Sequence, residues 1–377
     1  MLTPKLTRDL SENGTAWLDL VRAIATNLVL LDHIQSIYGE TPRWGALGEL
    51  GVCLFFLLSG FLIFQSCWNR LRRPGRSNFG PFLVDRFARI YTPYIPVLLI
   101  IVALNYLYPL GHFVGEWGKG GISEGPVSLA ANLLMLQDYP LFQAGHWLIG
   151  PIIPFVHSYN TAEPFWTVAV EFWIYVLFGL SFFGVCGERF RPLALVLGAV
   201  ASPVVIWNGG AGGGHGLSLV WLLGALGAYV WVTVWHDSKL KGTIGAILTV
   251  AAAMCICGRG VKTGWVVYDT GLEMLIGMLM LGVLSTLEAI ARLPAFLRST
   301  CKFLASYSFS LYLVHNTTLI VLRDAFPSGS MTGMCIAFVT SHLVALGCYW
   351  LFERHYRHIG SWLKMQRLPA ISVAREV

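Results

Sequence analysis

Apolar runs of about 17–25 residues, the length that crosses roughly 30 Å of hydrocarbon, recur along the whole chain of 377 residues. They predict ten spans at about 17–37, 49–66, 91–110, 165–184, 193–207, 217–236, 243–257, 271–288, 303–322 and 332–352. The fold class expected is therefore all-α, a polytopic integral membrane protein with about ten transmembrane helices. Two further apolar pieces, SLAANLLMLQ (128–137) and HWLIGPIIPFV (146–156), are too short to span and carry prolines nearby. They read as interfacial or re-entrant pieces that roof a cavity. With no internal repeat and no low-complexity linker, the expected division is a terminal segment over 1–16, one membrane domain over 17–362 and a tail over 363–377.

Composition agrees. Hydrophobic residues make up 55% of the chain and charged ones 12%, against roughly 25% charged in a soluble domain, too little charge to cover a water-facing surface. The net charge of +6 is not the footprint of a nucleic-acid partner, because its placement follows the membrane. With the N-terminus inside, twenty of the 26 Lys and Arg residues fall in cytoplasmic segments, five fall outside, and Arg22 alone lies within a span. The excess of cytoplasmic positive charge predicts both termini cytoplasmic. Residues 1–15 are polar, with both signs of charge and no cleavage pattern after the first apolar run, so that run is expected to remain as a helix. The eight cysteines form no CxxC pair; they read as small apolar filler, and no metal site is expected.

Polar groups within the spans carry the chemistry, since each is costly there unless paired or facing water. Arg22 and His33 lie eleven residues apart in the first span. At 100° per residue they share a helix face and stand about 16 Å apart along the axis. Ser59-Gly60, in GVCLFFLLSGFLIF, offers a small-residue step where another helix or a thin ligand can come close. Arg86 and Arg89 are three apart on an incoming amphipathic helix, suited to phosphate oxygens or to lipid headgroups, and Pro93 and Pro96 are expected to break regularity after it. Glu171 sits in the apolar FWTVAVEFWIYVLF, with Arg22 and His33 as its available partners, and the ninth span holds Ser306, Ser308, Ser310 and His315.

As a set these residues resemble the acyltransferase 3 family of membrane acyltransferases, over about Trp17 to Trp362. The arginine, ten residues, histidine motif is Arg22 and His33. FFxxSGFLI is Phe55 to Ile63. The RxxRIxPxY-like motif is Arg86, Arg89, Ile90, Pro93 and Tyr94, the WSLxxE-like segment runs from Trp166 to Glu171, and the SYSxYLxH-like segment from Ser306 to His315. The proline usual after the last-helix glutamate is absent, since Glu353 is followed by Arg354-His355. The resemblance implies a cytoplasmic acyl-CoA donor, usually acetyl-CoA, and a sugar hydroxyl of a lipid-linked or cell-surface carbohydrate as acceptor. It also implies a bacterial inner-membrane setting among membrane lipids.

Transfer from a thioester to a hydroxyl needs a base near neutrality, and His33 is the candidate, either deprotonating the acceptor or carrying the acyl group itself. Glu171 is expected to orient His33 or to neutralise Arg22. Arg86 and Arg89, with Tyr94 from the same motif, are expected to hold the donor's phosphates while its thin arm threads past Arg22 and Ser59-Gly60. His315 and Trp166 are assigned to the acceptor. Trp117, Trp147 and Tyr159 of the outer segment are suited to stacking on a sugar ring or to anchoring at the interface. The alternative is a transporter or exporter using Arg22, His33 and Glu171 as a relay, disfavoured by the absence of paired broken helices in matching halves. A structural or sensory subunit would leave the buried charges unexplained.

Overall fold

The computed structural model describes residues 9–39, 47–71, 79–108, 122–150, 152–210, 216–235, 239–263, 269–290 and 292–365. Trp117, the Arg72, Arg73 and Arg76 cluster and both chain ends lie outside them. Among the described residues the secondary structure is helical, apart from isolated bridges. The helices in chain order are α1 (Glu12–Tyr38), α2 (Leu47–Leu71), α3 (Phe79–Leu107), α4 (Gly125–Leu133), α5 (Pro140–Ile149), α6 (Phe165–Val185) and α7 (Pro192–Trp207). There follow α8 (Leu217–Val230), α9 (Lys241–Thr263), α10 (Thr270–Ala289), α11 (Ala295–Ser306), α12 (Ser308–Arg323), α13 (Met331–Leu351) and α14 (Tyr356–Met365). Among the described residues eight helical stretches are long and apolar enough to cross a membrane, and α7 is a shorter apolar helix. The chain is an integral membrane protein.

Two elements depart from the pattern read in the sequence. Pro93 and Pro96 do not break the chain, since both lie inside the single helix α3, which joins the segment carrying Arg86 and Arg89 to the span beyond. Packing against neighbours lets a membrane helix tolerate the amide bonds a proline removes. The ninth span, by contrast, is divided at Tyr307 into α11 and α12. There the Ser306 hydroxyl donates to the Phe303 carbonyl at 2.7 Å and Ser308 to Ala305 at 2.8 Å. Serines that bond backward to nearby carbonyls compete with regular helix. What remains, α12, has 16 residues, roughly 24 Å of helix.

The chain divides into two compact units, Met1–Asp32, Pro42–Arg76 and Gly209–Phe309 in one, His33–Thr41, Ser77–Asn208 and Ser310–Val377 in the other. In the first unit α2 meets α8 through glycine. A Cβ on Gly60 would overlap the Trp221 carbonyl, and one on Gly224 the Leu57 carbonyl, so the two backbones touch and only glycine fits. The start of α1 is stapled by Asn13, whose amide donates to the Leu287 and Ile290 carbonyls and accepts from the Leu293 N–H. Glu12 pairs with Arg298 beside it.

In the second unit α3, α6 and α12 enclose buried aromatics, among them Phe79, Phe82, Tyr94, Phe165 and Phe183. The two short apolar pieces lie in the helices α4 and α5 and the loop after them, whose Val156 bridges to Ile122 ahead of α4. Tyr94 and Gln137 bind α4 and its following turn to this core. The Tyr94 hydroxyl donates to the Asn132 carbonyl at 3.0 Å, and the Gln137 amide donates to the Phe165 carbonyl at 3.1 Å.

Candidate active site

His33 lies on the last turns of α1, half-buried. Its Nδ1 is 3.0 Å from Oδ1 of Asn316 on α12. The Asn316 amide donates in turn to the Thr161 carbonyl at 2.8 Å, and the Thr161 and Thr317 hydroxyls meet at 2.8 Å. Five residues beyond His33, the Tyr38 hydroxyl donates to the Leu319 carbonyl at 2.8 Å and so fixes the end of α1 on α12. The imidazole of His315 stands edge-on to that of His33, ring centroids 4.9 Å apart.

His315 is 1% exposed. Its Nδ1 donates to the Tyr312 carbonyl at 2.8 Å, since a carbonyl can only accept, so Nε2 carries the lone pair. That Nε2 is buried with no hydrogen-bond partner among the described residues, an uncommon condition for a native polar atom. Beside it the Tyr312 and Thr167 hydroxyls meet at 2.6 Å.

Glu171 receives the Tyr175 hydroxyl at 2.6 Å, one turn along α6. The group bonded to His33 is Asn316, and the partner of Glu171 is Tyr175. Sequence reasoning passed over Asn316 and Thr161, although an asparagine following a histidine inside an apolar helix also needs hydrogen-bond partners there.

Of the arginines assigned to the donor, Arg89 is taken by Glu353, at 2.7 Å, and lies over the Tyr356 ring at 4.8 Å. Glu353 is wholly buried; its other oxygen accepts from the Ser310 N–H at 3.0 Å and the Ser310 hydroxyl at 2.6 Å. Where the family's proline is missing, Glu353–His355 form a single 3₁₀ turn leading into α14. Arg86 sits 5.9 Å from the Phe82 ring, its Nε without a hydrogen-bond partner among the described residues. Tyr94 is fully buried and belongs to the tie beneath α4 rather than to an open surface. Trp147 is 67% exposed on α5, and Trp166 is half-buried at the start of α6.

In the first unit, Arg22 pairs with Asp19 at 3.5 Å. Both line a cavity of about 320 Å³ with Thr15, Gln65, Ser66 and Asn69, within the usual size range of ligand pockets. The Ser59-Gly60 step is filled by a helix: Ser59 accepts from the Trp221 indole at 3.0 Å, directly beside the Gly60 contact. No group of three metal-ligating side chains occurs among the described residues.

Helices of membrane-spanning length, with a histidine bonded to an amide inside one of the units, define a membrane protein with a polar cluster among its buried side chains. The family model described as an acyltransferase domain matches residues 15–352, and the chain belongs to the acyltransferase 3 family: it is a membrane acyltransferase, which displaces the transporter reading. Comparison with curated proteins and with solved structures gives no match.

Proposed function

We propose that the protein moves an acetyl group from cytoplasmic acetyl-CoA to a hydroxyl of a cell-surface or lipid-linked carbohydrate, with His33 as general base. The observation that carries this is a half-buried imidazole on a helix of membrane-spanning length, held through one ring nitrogen by Asn316, while its second nitrogen remains for chemistry. In the proposed step that nitrogen takes the proton of the acceptor hydroxyl as the oxygen attacks the thioester carbonyl carbon. The C–S bond breaks, and the CoA thiolate leaves with that proton as the free thiol. His315 Nε2, buried and without a hydrogen-bond partner among the described residues, accepts a hydrogen bond from the acceptor, and Trp147 and Trp166 border the sugar. With Arg89 engaged by Glu353, Arg86 is the guanidinium left for a donor phosphate, and the cavity at Arg22 is a separate candidate for a polar ligand. The distribution of Lys and Arg supports both termini in the cytoplasm; the family suggests a bacterial inner membrane, and the run of apolar segments suggests one membrane domain over 17–362 with short segments over 1–16 and 363–377.

The test is release of CoA thiol by purified protein given acetyl-CoA and methyl glucoside. Glucoside-dependent release is expected, with Arg86→Ala raising the donor KM about ten- to a hundredfold for one lost charge-assisted contact. Release no faster than in protein-free controls would contradict the reading.

A further inference from the structure

We infer that Asn316 is a positioning residue that fixes which nitrogen of His33 is basic, with the Thr161 carbonyl as its anchor; the inference rests on the proposed role of His33. It follows from donor and acceptor roles alone. A carbonyl oxygen accepts and cannot donate, so the Asn316 group 2.8 Å from the Thr161 carbonyl must be the NH₂. The flipped amide would press two acceptors together. Oδ1 therefore faces His33, and having no hydrogen, it obliges His33 Nδ1 to supply one across the 3.0 Å contact. In the neutral ring, Nε2 is then left with the lone pair. Neutral histidine in water favours the opposite tautomer, so the site selects the less common form.

The anchor is itself fixed. Thr161 sits in a turn where Asn160 adopts φ 44°, a left-handed conformation that asparagine tolerates better than most residues. The Asn160 amide donates to Asn105 and Glu124 at 2.6 and 2.8 Å, and the Ala162 N–H closes on the Tyr159 carbonyl at 2.8 Å. The hydroxyl contact between Thr161 and Thr317 grips the same two segments a second time. Asn316 is 2% exposed and Thr161 1%, so water does not compete for the amide.

The consequence is a base that need not turn during the reaction. When Nε2 takes the acceptor's proton, the ring becomes a cation with hydrogens on both nitrogens. The existing bond from Nδ1 to Oδ1 is then charge-assisted and stronger. Asn316 thus stabilises the protonated ring in place, and Nε2 is freed again when its proton passes to the departing thiolate.

Two measurements on protein in liposomes test this. The first is solid-state ¹³C and ¹⁵N NMR of labelled histidine, with His33 assigned among the ten histidines by difference from His33→Ala. The second is turnover of acetyl-CoA with excess methyl glucoside. The parent should show His33 protonated at Nδ1. Asn316→Ala should shift it toward Nε2 and lower kcat on the order of 10²-fold, with the donor KM within twofold. Asn316→Asp keeps an acceptor facing His33 but loses the donor to the Thr161 carbonyl, so it should keep the Nδ1 proton with turnover between that of Asn316→Ala and the parent. Protonation at Nε2 in the parent overturns the inference, and so does folded Asn316→Ala with kcat within threefold. If Asn316→Ala does not fold, the parent spectrum and Asn316→Asp decide. Full activity in His33→Ala would instead sink the base assignment, while the NMR result would still report on the tautomer independently.

Discussion

The contact of α2 with α8 and the contact of α1 with α12 around His33 hold membrane helices together by opposite means. In the first, Gly60 and Gly224 bring backbone against backbone, and dispersion between close surfaces supplies the attraction that lipid-facing side chains cannot. In the second, side chains are joined by hydrogen bonds, from Tyr38 to Leu319 and from His33 through Asn316 to Thr161. The glycine contact sets a distance and asks for no particular chemistry. The polar contact requires desolvating several groups, and in return it fixes their orientation, the property a catalytic base depends on. The two should therefore fail differently when altered: one through folding, the other through function.

The strongest challenge to the glycine contact is Gly224→Val. Its side chain would meet the Leu57 carbonyl, a backbone atom that cannot move without parting the helices. Most of the protein should be lost to unfolding, while any folded fraction turns over at the parental rate per molecule. A stable Gly224→Val protein would show that the helices are held by something else. Smaller, and on the polar side, Glu353→Ala removes the buried carboxylate that joins Arg89 to Ser310. Stranding the arginine should lower stability by about 3–5 kcal/mol, read from denaturation in detergent, and an unchanged midpoint would contradict the buried pairing.

The smallest expected effect lies at the start of α10, where Asp269 caps the Leu272 N–H at 3.0 Å and pairs with Arg259 at 2.8 Å. The backbone hydrogen bond from Leu272, with Arg259 adding to it, holds this carboxyl below its ordinary value of 3.8. Because the folded value is depressed, the stabilisation is complete above that ordinary value and is lost as pH falls through the lower folded one. Asp269→Ala should lower the melting temperature at pH 7 by the equivalent of about 1 kcal/mol for a lost cap. The gap from the parent should narrow in strong acid. A gap that stays constant with pH would mean the charge plays no part.

The spans were legible because length and hydropathy are local properties of the chain, and nearly every apolar run became a helix. The polar candidates were legible one by one, since a buried charge stands out against apolar neighbours. Their pairings were not. Arg89 with Glu353 and His33 with Asn316 join residues more than 260 positions apart, a separation on which helical spacing is silent. Proline was misjudged at α3 because its effect on a helix depends on neighbours that a single segment does not reveal. Ser59-Gly60 admitted both a helix and a ligand in the sequence, and the position of Trp221 decided for the helix.

The account turns on His33, and turnover by His33→Ala at saturating acetyl-CoA tests it most directly, on protein whose melting temperature matches the parent. Loss of a general base is expected to lower kcat by about 10²–10⁴-fold, with acetyl-CoA binding preserved because the donor's affinity is assigned to other residues. A folded His33→Ala protein turning over within tenfold of the parent would contradict the account and leave the polar contact around Asn316 as architecture alone.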